Sequence, residues 1–509
     1  MPLLQWLDDD KARVKASQVP YRLLEEQTKL SYGDPYTENM LIQGDNLDAL
    51  KALLPYYAGK VKCIFIDPPY NTKSAFEHYD DNLEHSQWLN MMYPRLELLR
   101  ELLAEDGSIW VTLDDNEAHY CKVIMDEVFG RSNYLGDFVW RKRKGGGNDS
   151  RYFAIDHDYA IGYAKKRDKN VHKLKWRVPY DDDYLKRYKE IDDNGLRYYW
   201  DTLSRKSLQN PIVFEIDCPD GSSLKVYSQK SKEVVLEMLK QGSVRLVKNK
   251  KNEWTIHHRV YQPKDGKVLR SFLYDVGTNK AAKDEQIALG IEEDDFDYPK
   301  PENLIRTILS LHTNMNDLIL DSFLGSGTTA AVAHKMHRRY IGIELGEHAK
   351  THCQPRLQKV VDGEQGGISK AVDWQGGGGF RFYQLGETVF DEEGLINANI
   401  KFAPLAAHIW FAETGKPMTN PANPKSPLLG FEGEKTYFLL YNGVLGDKKP
   451  QNGNVLTRAI LKQLLDTLKH EAPDFNGEWV VYGESCRIGQ AKLEQHNITF
   501  KQTPYDIKA

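Results

Sequence analysis

A six-residue run, Val61-Lys62-Cys63-Ile64-Phe65-Ile66, passes without a break into Asp67-Pro68-Pro69-Tyr70, and this junction constrains the chain more than any other stretch. Two prolines in succession supply no ladder donors, so an extended segment must end there. A short, nearly continuous apolar run suits a strand buried on both faces, the environment of a parallel sheet covered by helices. The flanking sequence agrees. Leu41-Ile42 stops at Gly44-Asp45, and Leu47, Leu50, Leu53 and Leu54 follow at helical spacing. Apolar residues at 88, 92, 96, 99 and 103 make a second helical stripe, Gly107 ends it, and Ser108 to Leu113 reads as the next strand. Strand, helix, strand, helix predicts an α/β doubly wound sheet.

Ligands of open α/β sheets bind beyond the carboxyl ends of the strands, which makes Asp67 to Asn71 a candidate site. The exocyclic amine of adenine or cytosine is a poor nucleophile because its lone pair is delocalised into the ring. A site that alkylates it must hold the amine with acceptors. Asp67 supplies a carboxylate and Pro68 a carbonyl, the two prolines stiffen the loop, and Tyr70 offers a flat face for an extruded base. A second strand-like run, Asp317 to Asp321, leads into Ser322-Phe323-Leu324-Gly325-Ser326-Gly327-Thr328-Thr329 and a helix. Two glycines permit close backbone approach, and the missing Lys argues against a phosphate-binding loop. Glu344, at the tip of the following strand, is placed to hold ribose hydroxyls. Loop and acid together favour a nucleoside bearing an amino-acid tail.

Composition excludes other classes. The formal charge of −5 is not that of a nucleic-acid-coating protein, but between Arg141 and Glu190 there are 15 Lys or Arg against 8 Asp or Glu, opening with Arg141-Lys142-Arg143-Lys144. Five scattered cysteines form no CxxC pair, which fits a reducing cytoplasm and argues against disulfides or zinc. Neither a signal peptide nor a membrane span is expected. Asp114-Asp115 ends a strand near the site, but adjacent acids point to opposite faces, and no metal is expected.

Taken in order, these motifs resemble the beta class of DNA amino-methyltransferases, in which a DPPY motif precedes FxGxGT. Asp321, Phe323, Gly325 and Gly327 match the cofactor loop of that class, with Thr328 following. Gly44-Asp45 resembles its motif III, and Lys300-Pro301-Glu302-Asn303-Leu304 its motif X, which lies beside the methionine part of S-adenosylmethionine. Trp140 with His157-Asp158-Tyr159 resembles motif VIII, near the flipped base. The resemblance narrows to Mod subunits of type III restriction-modification systems at Val276-Gly277-Thr278-Asn279, Phe296-Asp297-Tyr298-Pro299, Gly376 to Phe382 and Ile498 to Asp506.

It implies a seven-stranded sheet in permuted order, with the cofactor and DPPY strands as neighbours. The expected organisation is an N-terminal arm (1–36), the DPPY half (37–166), a target-recognition insertion (167–295), the cofactor half (296–360) and a C-terminal α+β region (361–509). The implied reaction is methylation of adenine N6 in double-stranded DNA by base flipping. Catalysis falls to Asp67, Pro68, Pro69 and Tyr70. S-adenosylmethionine falls to Asp45, Lys300, Pro301, Asp321, Phe323, Gly325, Gly327, Thr328 and Glu344. DNA contact falls to Trp140, Arg141, Lys142, Arg143, Lys144 and His157. A homodimer and a helicase-nuclease restriction partner are the implied assemblies. Cytosine N4 remains open as the target, although Ser usually stands where Asp67 does in those enzymes. A role as DNA-recognition subunit for a nuclease, and an RNA or protein-glutamine substrate, are the other readings.

Overall fold

The computed structural model describes residues 4–71, 85–145, 152–168, 176–178, 180, 182–263, 266–290, 299–391, 393–397, 399–418, 422–441, 444, 454–503 and 506–507. Phe296 to Tyr298 and Pro504-Tyr505 of the motifs above lie outside these residues. The chain divides into two compact units, one of residues 1–171 with 270–509 and one of residues 172–269.

The first unit is built on one large sheet. Its strands run in the order Arg22–Glu26, Gly379–Thr388, Met40–Gln43, Arg339–Glu344, Leu318–Asp321, Val61–Ile66, Leu103–Leu113, His157–Ala164, Tyr134–Arg141, Phe272–Leu273, with Tyr32–Gly33 added beside Gly379–Thr388. From Gly379–Thr388 to Leu103–Leu113 every neighbour is parallel. His157–Ala164 then runs antiparallel to both of its neighbours. The seven expected strands occupy the middle of this sheet, and the cofactor strand pairs with the DPPY strand as Ile319 with Cys63 and Leu320 with Ile64.

Alternate residues of the central strands are buried on opposite faces. Ile42, Ile64, Ile66 and Ile343 join the core beneath helices Asn46–Tyr57 and His85–Leu102. Leu41, Cys63, Phe65 and Ile319 are buried as completely on the other side. Helices Glu302–Leu309, Thr328–Lys335 and Gln354–Val361 pack against one another in chain order. Burial on both faces is why Val61–Ile66 reads as an unbroken apolar run.

The sheet is wider than expected because both ends of the chain join it. Residues 1–36 are not an arm. Helix Asp9–Gln18 packs on His85–Leu102, and Arg22–Glu26 is an edge strand paired with Gly379–Thr388. The glycines at 376–379 lead into that strand. Beyond it, strands Leu428–Glu432, Lys435–Leu439, Glu478–Gly483 and Ile498–Gln502 form a second sheet, parallel except for its first pair. An amphipathic helix in this region spans Arg458–Glu471.

The second unit lies within the expected insertion. It holds a four-stranded antiparallel sheet in the order Val244–Lys248, Trp254–Tyr261, Arg197–Thr202, Glu190–Ile191. A hairpin, Ile212–Asp217 with Ser223–Ser228, and helix Lys232–Lys240 supply the rest of its core around Val226, Val235, Val244 and Ile256. Residues 270–290 belong to the first unit, where helix Asn279–Ala288 follows the Phe272–Leu273 strand. Among the described residues no helix is long and apolar enough to cross a membrane.

Candidate active site

Four neighbouring parallel strands end on acids at one edge of the sheet. Val61–Ile66 is followed by Asp67, Leu318–Asp321 and Arg339–Glu344 finish on Asp321 and Glu344, and Met40–Gln43 leads to Gly44-Asp45. Strand register alone therefore gathers Asp67, Asp321, Glu344 and Asp45 from distant parts of the sequence.

Both oxygens of Asp67 are held. The Thr112 hydroxyl, from the adjacent Leu103–Leu113 strand, donates to Oδ1 at 2.5 Å. The Lys300 ammonium, itself buried, pairs with Oδ2 and lies 4.9 Å from the centroid of the Tyr70 ring. The rest of the loop is pinned from outside the motif. Trp88 Nε1 donates to the Pro69 carbonyl at 2.7 Å. Asn71, in the left-handed region at φ 54°, donates to the buried Glu117 carboxylate at 2.6 Å, and His85 Nδ1 meets the same group at 2.9 Å. Burial holds the Tyr70 hydroxyl well above the ordinary phenol range, so it stays protonated.

The glycine loop wraps over the other two acids. Asp321 Oδ1 accepts from the Phe323 amide at 2.9 Å and Glu344 Oε2 from the Gly325 amide at 2.7 Å. Gly325 and Gly327 have φ of 57° and 83°, the left-handed region a side chain would oppose, and Gly327 caps helix Thr328–Lys335. Burial pushes the Asp321 carboxyl up to about 7; bonds from Thr329 and Phe323 oppose the rise and the charges of Asp67 and Glu344 add to it.

Asp45 caps helix Asn46–Tyr57 through the Leu47 amide at 2.7 Å and pairs with Arg95 at 3.2 Å. Arg95 also donates to Asn46 Oδ1, and Asn46 Nδ2 donates to the Ser322 carbonyl at 2.7 Å, which ties this corner to the glycine loop.

A buried ion cluster lies behind the loop. Glu302, next after Lys300-Pro301, accepts from Lys335 at 2.8 Å, Arg356 at 3.0 Å and the Ile368 amide at 3.0 Å. Arg356 also donates to Thr328 Oγ1 at 2.8 Å. Burial acts to raise the Glu302 carboxyl, but Arg356 and Lys335 outweigh it and hold the group ionised.

The residues expected at DNA fare differently. Trp140 is 1% exposed and donates to the Gly277 carbonyl at 2.8 Å, so it packs rather than lining a channel. Lys142 is spent on the buried Asp158 carboxylate at 2.6 Å. Arg141 donates to the Tyr274 carbonyl and lies over that ring. His157 meets the Tyr159 hydroxyl at 3.2 Å, which in turn donates to Asp115. Arg143 and Lys144 are exposed. Thr112, Trp88, Glu117 and Arg356 carried no local sequence signal for these roles; Glu302 lies within the Lys300–Leu304 motif, which assigned it no role. Among the described residues no group of three or more His, Cys, Asp or Glu could hold a metal ion.

The model of a family described as DNA methylase matches residues 61–354. A probable type III restriction-modification enzyme HindVI Mod subunit of Haemophilus influenzae is 34% identical over 414 residues, covering 70% of this chain and 55% of that protein. The EcoP15I Mod subunit of Escherichia coli is 26% identical over 478 residues, covering 75% and 71%. The chain thus spans little more than half the length of the HindVI relative. Among solved structures, the PvuII DNA methyltransferase (cytosine-N4-specific) is 14% identical with a TM-score of 0.35, covering 63% of this chain and 86% of that one.

Replacing Arg356 by Ala leaves Glu302 one partner short in a site with almost no water access. Losing one member of a buried pair typically costs about 3–5 kcal/mol, and Lys335 should keep the loss near the lower end. Urea denaturation measures it. A loss under about 1 kcal/mol would mean that Arg356 does not hold the loop.

Proposed function

The chain belongs to the DNA methylase family, and from that premise we propose that it transfers a methyl group from S-adenosylmethionine to adenine N6 in double-stranded DNA. The observation that carries the reading is the Asp67 carboxylate, fixed by Thr112 and Lys300 at the end of a strand beside the glycine loop. Adenine is favoured over cytosine N4 by Asp67 itself, since enzymes of the latter kind usually carry Ser there.

The residues present fit the cofactor. Asp321, Glu344 and Asp67 make a carboxylate-lined edge that would repel phosphates and suits a cofactor bearing sulfonium and ammonium charges. Lys300 and Pro301, Asp45, Phe323 and the Gly325–Thr328 loop are the other groups proposed to hold it. Once bound, S-adenosylmethionine supplies an activated methyl group. The chain's part is to orient and exclude water. Asp67 and the Pro68 carbonyl accept from the amine, so its lone pair turns toward the methyl group. Tyr70, its hydroxyl protonated, offers a face to the extruded base. Binding the amine in line contributes through position rather than through a covalent intermediate. The proton leaves after transfer, when the amine has become acidic, so no strong base is needed.

The Mod-type relatives support a further proposal: a modification component that works with a helicase-nuclease partner, as a homodimer, in the cytoplasm. Pull-down of the tagged chain from cells carrying a neighbouring restriction subunit should recover that subunit; its absence from repeated pull-downs would count against the assembly.

Incubation with S-adenosylmethionine and unmethylated bacterial DNA, followed by nucleoside mass spectrometry, should yield N6-methyladenine. N4-methylcytosine instead would overturn the adenine assignment. Asp67→Ala is expected to lower turnover by about 10²–10³-fold or more while cofactor binding persists.

A second expectation concerns pH. With its carboxyl at about 7, Asp321 is largely protonated at pH 6, and a cationic ligand binds the ionised form better. Binding should therefore release a proton, and affinity for S-adenosylmethionine should rise with pH by up to about tenfold per unit below 7. Calorimetry at pH 6, 7 and 8 checks this, and Asp321→Asn should flatten the profile. A flat profile in the unaltered protein would remove Asp321 from the cofactor's surroundings.

A further inference from the structure

The unit of residues 172–269 is charged unlike the rest of the chain. It carries 20 Lys and Arg against 14 Asp and Glu, a formal charge of +6, which leaves −11 on the remainder of a chain whose total is −5. Its four-stranded sheet is also unusual in what it shows on its two faces. One face buries Val244 and Ile256 against helix Lys232–Lys240 and the hairpin. The register places Tyr198 and Trp200 on the other face, across from Tyr261 and Arg259, with Arg245 on the adjoining strand.

An outward sheet face ordinarily carries Thr, Lys and Glu. Here large rings and guanidinium groups alternate. The Arg245 guanidinium lies 4.1 Å from the Trp200 ring centroid and Arg259 lies 4.7 Å from that of Tyr198. Tyr198 in turn packs edge-on to Trp200 at 5.6 Å. Arg245 is exposed, and among the described residues its guanidinium makes no hydrogen bond or ion pair. Stacking on a ring leaves the edges of the planar fork free and takes away much of the side chain's rotamer freedom before any ligand arrives. A preorganised, unpaired guanidinium suits a bidentate phosphate contact. Tyr198 is itself buried, and the half-buried Trp200 ring, whose Nε1 donates to Glu190, is the one that offers apolar surface for deoxyribose or an unstacked base.

We propose that this face, centred on Arg245, Trp200 and Arg259, grips the DNA phosphodiester backbone. The proposal rests on the DNA methylation reading and adds to it the part of the insertion that holds the substrate. Because the contact is to backbone, it contributes affinity and register without itself choosing the sequence.

The test uses the full chain and a fluorescent duplex, with anisotropy measured across a salt series. Each phosphate contact removed should lower the salt slope of log K by about one. Arg245→Ala is expected to do so and to weaken binding alike on unrelated duplexes, Arg245→Lys to recover the slope but less of the affinity, and Trp200→Ala to weaken binding with the slope kept. Lys232→Ala, which removes a charge from the same unit but from its helix, should leave slope and affinity unchanged. Thermal unfolding and S-adenosylmethionine binding confirm that each variant is folded. If the unaltered protein methylates DNA while Arg245→Ala binds duplexes with the original slope and affinity, the surface assignment falls alone. If the unaltered protein binds S-adenosylmethionine but no duplex, the DNA reading falls with it.

Discussion

The parallel pairing of Leu318–Asp321 with Val61–Ile66 joins segments roughly 250 residues apart and sets the position of everything in the site. Closing so long a loop costs entropy, but the cost grows slowly with length, and burying both strands on both faces offsets it. The pairing also fixes which groups meet. Parallel neighbours end at one edge, so Asp67 and Asp321 arrive side by side, close enough for the Asp67 charge to oppose ionisation of Asp321. An antiparallel pairing of the same strands would have sent the two acids to opposite edges of the sheet.

Acids brought this close repel, and the fold manages them in different ways. Asp67 is compensated by Lys300, Glu344 accepts a loop amide, and Asp321, its carboxyl raised to about 7, is only partly ionised at neutrality. The compensation depends on a second constraint further back. Glu302 is gripped by Lys335, Arg356 and the Ile368 amide, and it stands two residues after Lys300. Arg356 reaches from the same carboxylate to Thr328 in the glycine loop. One continuous set of contacts therefore runs from the loop through Arg356 and Glu302 to Lys300 and Asp67. The segment that steadies the acid and the loop proposed to hold the cofactor are mechanically one piece. The resemblance placed Lys300 beside the cofactor's methionine part, and in the structure its ammonium pairs with Asp67.

What could be read in the sequence was whatever a short window contains. Val61–Ile66 before two prolines, the paired glycines after Asp321, and the acid closing Arg339–Glu344 all announce their setting locally. Thr112, Trp88 and Arg356 do not, because their partners Asp67, Pro69 and Glu302 lie 19 to 54 residues away and only the folded register brings them together. Trp140 and Lys142 misled for a related reason. A basic, aromatic stretch reads as surface, but the Gly277 carbonyl and a buried carboxylate at Asp158 consume both side chains. The insertion hid its strands for another. Arg197–Thr202 reads RYYWDT, three rings in succession with Tyr198 buried and Tyr199 and Trp200 half-buried, so the alternation that marks a strand is erased.

That erased alternation and the misleading net charge have the same origin. A total of −5 describes neither compact unit of this chain. A cofactor carrying positive charge calls for carboxylates around it, and a polyanionic duplex calls for cations, so a protein proposed to bind both must keep the two sets apart. Placed in one surface, Asp67, Asp321 and Glu344 would weaken the attraction of nearby arginines for phosphate, and those arginines would pair with the acids. The −11 and the +6 fall on different compact units, so the two sets belong to separately folded parts of the chain. It also accounts for aromatic rings on the outward sheet face. Among the described residues no acid pairs with Arg245, and a ring is the partner that orders its guanidinium without neutralising it and leaves its charge for a ligand.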